Sequence, residues 1–341
     1  MLTKNNSKFI NYEANRNNLL KFIIKKSYII YKEMIKIINL KRRQDRKESM
    51  INKFEKENVT NYEFIEAVDG YTLDFTKELF NTFKGNDFYY RKGFIGCALS
   101  YVNIWNRLLN DPDNEYYIIM EDDIDIVSDF KNKINLLDAH MKKKDFVFLG
   151  YSMFEEERKK QFNKYNNQNN ILSIEKLNRN LYLGGFFCYS INKTGASKIL
   201  KYISENGIKH GIDYYNKILP MINSYEVTPQ LAFTQWNEDN KVIDTDIQNF
   251  QIFDVKKLLH EEFIFIKGMD QEGYDIRRCN KNMNMNIEIC MNTALSLDNC
   301  VAFNTFGYLK NNLCELKPSI YYKENDGIFI KKNIYQNFIQ K

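Results

Sequence analysis

Five apolar residues, Tyr116-Tyr117-Ile118-Ile119-Met120, run straight into Glu121-Asp122-Asp123-Ile124-Asp125. An apolar run of that length suits a buried strand. Three adjacent acids, with a fourth two positions on, therefore stand at one edge of a sheet. Their mutual repulsion needs a counter-charge. A divalent cation supplies it, because hard carboxylate oxygens match Mg²⁺ or Mn²⁺. Such an ion takes one or two carboxylates and leaves positions open for the phosphates of a ligand. The competing reading is a solvated loop start whose acids face water.

A second group is basic. Lys41-Arg42-Arg43 and Arg46 follow an apolar run, and guanidinium forks fit phosphate oxygens. Taken alone, a solvated charge run or a localisation-like cluster explains them better. Ala67-Val68-Asp69-Gly70 and the stretch Lys92 to Ser100, with Gly93 and Gly96, are weaker signals. Their glycines would let backbone approach a ligand at a helix start, or would simply make turns. Only three histidines occur (His140, His210, His260), so a poly-His zinc site is disfavoured and metal chemistry falls to carboxylates.

Strands alternating with helices must position these groups. Ile35 to Leu40 reads as a strand. A helix follows from Asp45, with Met50, Ile51 and Phe54 at helical spacing. Tyr62 to Val68 is a second strand, and Gly93 to Leu109 is an amphipathic helix. Phe146 to Leu149 and Gly185 to Ile191 repeat the buried-strand signal of Tyr116 to Met120. The alternation predicts an α/β domain with a mostly parallel sheet, in which ligands gather beyond the carboxyl ends of the strands. The tract Asn163 to Asn170 is low-complexity and polar, the composition of a loop over a site.

The chain has 341 residues, about two domains' worth. With 44% hydrophobic and 27% charged residues it has globular composition, which excludes wholesale disorder, a coiled coil and a collagenous rod. A net charge of +5 suits a phosphate-bearing ligand but falls short of a dedicated nucleic-acid binder. No apolar stretch of about 20 residues exists to span a membrane. Leu19 to Tyr31 is apolar with interspersed lysines, and reads as an element packed on the main domain or a basic helix on a membrane surface. No apolar secretory leader is visible, so the cytoplasm is the expected compartment, although clustered late cysteines point towards an oxidising one.

In this order, the pieces resemble glycosyltransferase family 25, the group of lipopolysaccharide-type sugar transferases and collagen hydroxylysine galactosyltransferases. The resemblance is carried by Ile38-Asn39-Leu40 with the basic residues to Asp45-Arg46, by Ala67 to Gly70, and by Gly93 to Ser100 with Trp105. Glu121 to Asp123 follow, then Gly184 to Ser190 with Gly195-Ala196, Ile212-Asp213, Pro229, Gln235 and Thr245-Asp246-Ile247. It covers roughly residues 34 to 250. One position departs: the family usually follows the helix Ser with His, and Tyr101 stands here.

The resemblance implies a Rossmann-like GT-A domain over 34–250, preceded by an extension over 1–33. It also implies a UDP-sugar donor, Mn²⁺ (or Mg²⁺) and inversion at the anomeric carbon. The acceptor would be a hydroxyl of a glycan or of a collagen-like hydroxylysine protein. In one displacement that hydroxyl attacks the anomeric carbon while a carboxylate takes its proton. On this reading Glu121, Asp123 and Asp125 are the metal ligands. Asn39, Arg43, Arg46, Asp69, Gly93, Ser100, Asp122, Gly184 and Gly185 line the donor pocket. Asp213 is the expected base or acceptor-orienting residue, with a helix-start cap as its rival role, and Asp246 is a further acidic candidate.

Residues 251–341 hold four of the six cysteines (Cys279, Cys290, Cys300, Cys314) and weakly resemble a PAN/apple module through Cys300 to Lys310 with Cys314. A segment too short for a large core predicts one or two disulfides there, with zinc a lesser alternative because no Cys-x-x-Cys occurs. Cys97 and Cys188 read as buried thiols. Two other functions compete with a transferase. One is a glycan- or protein-binding chain with a degenerate transferase domain, the other a nucleotidyltransferase, which would usually show a Gly-rich loop after the first strand.

Overall fold

A computed structural model describes residues 34–153, 172–234, 246–247, 251–255, 260–279 and 287–339. The element expected over Leu19 to Tyr31, the loop expected over Asn163 to Asn170, and Gln235 and Thr245 lie outside the described residues.

The larger unit runs β1 (Ile35–Asn39), α1 (Gln44–Lys56), β2 (Tyr62–Glu66), α2 (Lys77–Thr82), α3 (Lys92–Asn110), β3 (Tyr116–Glu121) and β4 (Ile124–Ile126). It continues with α4 (Phe130–Lys143), β5 (Phe146–Ser152), β6 (Ser173–Lys176), β7 (Gly184–Asn192) and α5 (Lys193–Asn206). A 3₁₀ turn (Ile212–Tyr214) then leads into α6 (Tyr215–Ile218), β8 (Ser224–Thr228) and β9 (Ala232–Thr234). Seven strands form one sheet in the order β2-β1-β3-β7-β5-β8-β6.

Period-two alternation in β3 splits the core into two layers. Tyr116, Ile118 and Met120 pack with Met50 and Phe54 of α1 and with Ile134, Leu137 and Met141 of α4. Tyr117 and Ile119 face the other way, towards Ile104, Trp105 and Leu108 of α3 and Ile199 of α5. A strand covered on both faces must be apolar throughout, which is why β3 reads as a continuous run.

The sheet is mixed, which corrects the expectation of a mostly parallel one. β1 is parallel to β2 and β3, and β5 to β8, but β7 is antiparallel to both β3 and β5, and β6 to β8. After β5 the chain visits the far edge as β6 before β7 enters the sheet from the opposite end. A run buried on both faces carries no mark of its direction, so the sequence pattern could not show this. The inversion has a consequence for function: Ser152 pairs with Gly184, and Met120 pairs with Cys188. The start of β7 therefore lies at the same sheet edge as the ends of β3 and β5.

The smaller unit comprises β10 (Phe263–Lys267), β11 (Met269–Asp270), β12 (Asp275–Arg278), α7 (Ile287–Ser296), β13 (Ala302–Asn304), β14 (Tyr308–Lys310), β15 (Lys317–Pro318), β16 (Gly327–Lys331) and α8 (Lys332–Ile339). Five of these strands make an antiparallel sheet ordered β10-β16-β13-β14-β12. No disulfide joins any of the six cysteines. That corrects the predicted staples, and the reason is packing. Phe263, Cys290, Met291, Cys300 and Phe303 share one continuous core with Phe80, Phe83, Tyr90 and Phe253 of the larger unit. The segment need not stand alone, so its small size does not call for covalent support. The Cys279 thiol hydrogen-bonds that of Cys290, and this brings it down to about 7. Among the described residues no helix is long and apolar enough to cross a membrane.

Candidate active site

The carboxyl ends of β1 and β3, the loop after β2 and the first turns of α3 line a cleft open to solvent, ≈ 660 Å³ with the solvent space at its mouth included. Arg42, Arg46, Asp69, Gly93, Ser100, Tyr101, Glu121, Asp122, Asp123 and Asp246 stand in its wall. This is the place at which an open α/β sheet binds its ligand.

At its floor, β3 delivers the three acids. Asp122 is buried and doubly held: Asn39 Nδ2 donates to its Oδ2 at 2.7 Å, and Arg46 Nη1 to its Oδ1 at 3.0 Å. Asn39 also donates to the Arg43 carbonyl at 3.0 Å, tying the end of β1 to the basic loop. The same Arg46 nitrogen lies 2.9 Å from Asp123 Oδ2. Burial and the Asp122 charge raise the Asp123 carboxyl above the usual range, against the pull of Arg46. Burial, then the Asp123 charge, push Glu121 up to about 8, while a hydrogen bond from Tyr101 opposes the shift. That hydroxyl lies 2.7 Å from Glu121 Oε1 and 3.1 Å from the Phe186 carbonyl.

At the mouth, Arg42 reaches Asp69 Oδ2 at 2.9 Å and Asp246 Oδ1 at 2.5 Å, and Arg43 reaches Asp246 Oδ2 at 2.8 Å. Burial would raise the Asp246 carboxyl, but the two guanidiniums hold it below its ordinary value. The backbone of Asp246 and Ile247 lies hard against α3. A Cβ on Gly93 would come within 2.9 Å of the Asp246 carbonyl and 2.8 Å of the Ile247 carbonyl. Glycine is therefore required here for close approach rather than for ligand contact.

The predicted residues thus divide. Asn39 and Arg43 brace the wall from behind it. Ser100 lines the cleft, yet its hydroxyl joins helix to loop, donating to the Gly96 carbonyl and accepting from Val68 N–H, both at 2.8 Å. Asp69 orders its own turn, accepting from Tyr71 N–H at 3.0 Å. Asp125 does not join the metal candidates: it is exposed on β4 and pairs with Lys53 at 2.8 Å. Strand alternation explains the difference, since Ile124 takes the inward position and sends Asp125 outward. Gly184 and Gly185 lie outside the described cleft wall, at the start of β7, with φ of 130° and 88°. There Asp213 Oδ2 accepts from Gly185 N–H at 2.6 Å, so this carboxylate anchors the turn.

Sequence reasoning missed two wall residues. Arg42 was one of three adjacent cations with nothing to say which faces inward. Tyr101 stood out as a departure from pattern, but its contact with Glu121 depends on how α3 crosses β3.

Among the described residues no three His, Cys, Asp or Glu side chains form a closed metal cage. The donor chemistry nonetheless fits a hard cation held in the open manner. Glu121 and Asp123 share a cleft wall, and burial first, then neighbouring carboxylates, push both towards protonation. Two carboxylates completed by a diphosphate form such a site.

The family model described as glycosyltransferase family 25 (LPS biosynthesis protein) matches residues 32–215, more than half of the chain. The chain belongs to glycosyltransferase family 25. A protein of Acanthamoeba polyphaga mimivirus that carries a glycosyltransferase name is 37% identical over 312 residues, covering 87% of this chain and 94% of its own length. A second mimivirus protein, named as a fucosyltransferase, is 25% identical over 81% of this chain and 44% of its own length. Procollagen galactosyltransferase 1 of Danio rerio is 24% identical over 65% of this chain and 40% of its length. This family 25 chain therefore spans nearly all of the first relative and under half of the other two.

Proposed function

We propose that this family 25 protein transfers a hexose from a UDP-sugar to a hydroxyl acceptor by a single, inverting displacement that depends on Mn²⁺ or Mg²⁺. The observation that carries the reading is the meeting, in one cleft, of the acidic tip of β3 with Arg42 and Arg46. Carboxylates of Glu121 and Asp123 would hold the cation, and the guanidiniums would meet phosphate oxygens. When bound, the ion neutralises charge that builds on the departing diphosphate. Asn39 and Arg46 fix Asp122, so the strand tip is set before the ligand arrives.

For the acceptor side we assign Asp213, seated with Gly184 and Gly185 at the same sheet edge, as the residue that takes the acceptor's proton or orients the acceptor. Asp246, clamped between two guanidiniums, is a poor base in this state and is better placed to close the cleft mouth. The procollagen galactosyltransferase names favour a protein hydroxyl of the hydroxylysine type as acceptor, with a glycan hydroxyl as the alternative. We place the chain in the cytoplasm, where cysteines stay reduced.

The test is release of free UDP from a panel of UDP-sugars with and without Mn²⁺, using the full chain. Cation-dependent UDP release with one donor is expected. No turnover and no cation-dependent thermal shift with any nucleotide would instead favour a non-catalytic binding protein.

A further inference from the structure

Tyr101 is held firmly by its surroundings. It is 1% exposed on α3, and its ring packs against Trp105, Phe186 and Tyr189 with centroids 5.9, 5.5 and 6.2 Å away. The ring cannot swing without disturbing the aromatic core, so the hydroxyl has one position. From there it faces two acceptors, Glu121 Oε1 at 2.7 Å and the Phe186 carbonyl at 3.1 Å. A phenol carries one proton. With Glu121 ionised, the charge-assisted bond to the carboxylate is the stronger of the two.

Glu121 is the last residue of β3, where its backbone is set opposite Ile38 of β1. Its side chain still has three torsions with which to leave the cleft floor. Asp122, next in sequence, is fixed by Asn39 and Arg46. Glu121 has Tyr101 in that role.

We propose that Tyr101 is a positioning residue whose hydroxyl aims the Glu121 carboxyl into the cleft for the bound cation and diphosphate. The inference rests on the transferase reading for its catalytic consequence. The contact itself does not.

The test compares full-length parent, Tyr101→Phe, Glu121→Gln and the double variant. Tyr101→Phe keeps the ring and removes only the hydroxyl. Mn²⁺ titrated against each protein in the presence of UDP, followed by calorimetry, is expected to show an affinity about 10- to 100-fold weaker in Tyr101→Phe, the usual loss when a ligand's outer support is removed. In the Glu121→Gln background the same change is expected to add little, because the carboxylate it serves is gone. A merely structural tyrosine would weaken both backgrounds equally, and that result, or unchanged Mn²⁺ affinity in Tyr101→Phe, overturns the proposal.

Urea unfolding of the parent, Tyr101→Phe, Glu121→Ala and their double variant, without ligand and at pH 9 where Glu121 is ionised, reads the hydroxyl–carboxylate contact directly, with a coupling of about fivefold in the unfolding constant expected. Should the parent bind no nucleotide with Mn²⁺, the transferase reading fails and takes the catalytic consequence with it, while the unfolding cycle still decides whether the contact exists. Absence of coupling removes the contact and the proposal together. If Tyr101→Phe does not fold, Glu121→Asp makes the same cut from the other side, drawing the carboxyl back by one methylene while keeping its charge.

Discussion

At the tip of β3, three consecutive acids meet two different fates. Asp122 is held by Asn39 and Arg46; Asp123 touches the same guanidinium, yet burial and the neighbouring carboxylates raise both it and Glu121. Removing Asp123 should therefore cost function more than stability. Asp123→Ala is expected to lower UDP release by roughly 10²- to 10³-fold, the usual loss when one electrostatic contact to developing charge is deleted. Its circular dichroism spectrum should stay that of the parent. Activity at the parent rate would exclude the acid cluster from the mechanism.

Glu121 makes a prediction about pH. Its folded value near 8 exceeds the ordinary 4.5, so between these values the folded chain keeps a proton that the unfolded chain has released. Stability must then fall as pH rises through that window and level off above it. Glu121→Gln cannot titrate. Its melting temperature without ligand, relative to the parent, should rise by about 2 °C or more between pH 5 and pH 8. A constant difference across that range would mean that burial does not hold the proton on Glu121.

At the scale of elements, the cleft depends on how closely α3 lies on the loop after β2. A Cβ on Gly96 would stand 2.5 Å from the Val68 carbonyl, and one on Gly70 would stand 1.8 Å from the Lys92 carbonyl. Backbone meets backbone here, and Ser100 fastens the contact. Gly96→Ala must push helix and loop apart. We expect it to lose about 1–3 kcal/mol in urea unfolding, the scale of an overpacked core, and to weaken UDP binding because Asp69 and Tyr71 move with the loop. Unchanged values for both would mean that the loop yields without cost. The inverted β7 acts at the same scale, bringing Gly184, Gly185 and their anchor Asp213 to the edge where β3 ends.

Across the whole molecule, the two sheets do not behave as independent bodies. Their apolar side chains form one cluster, and Asn292 Nδ2 donates to the Asn86 carbonyl at the junction. The Lys77–Glu261 and Lys84–Glu262 pairs cross the same boundary; the first is exposed and contributes little, the second is partly buried. A single cooperative transition is therefore expected in calorimetry. A chain ending at residue 259 should expose Phe80, Phe83 and Tyr90 and be recovered aggregated or unfolded. Two resolved transitions, or a soluble and folded truncation, would refute the shared core.

Much of this protein was legible in its sequence, for physical reasons that are local. The continuous apolar run of Tyr116 to Met120 demanded a strand buried on both faces, and the acids after it demanded a sheet edge. Met50 and Phe54 at helical spacing marked the inner face of α1, and the order of the motifs marked the family. Other features depended on contacts between residues far apart in the chain. The direction of β7 leaves no trace in a uniformly apolar run. The outward turn of Asp125 follows from the strand alternation that begins at Ile124. Which of three adjacent cations enters the cleft depends on distant partners, Asp69 and Asp246 for Arg42, and that Tyr101 meets Glu121 depends on how α3 packs on β3. The cysteines needed no disulfides because the larger unit supplied burial that the smaller one would have lacked alone.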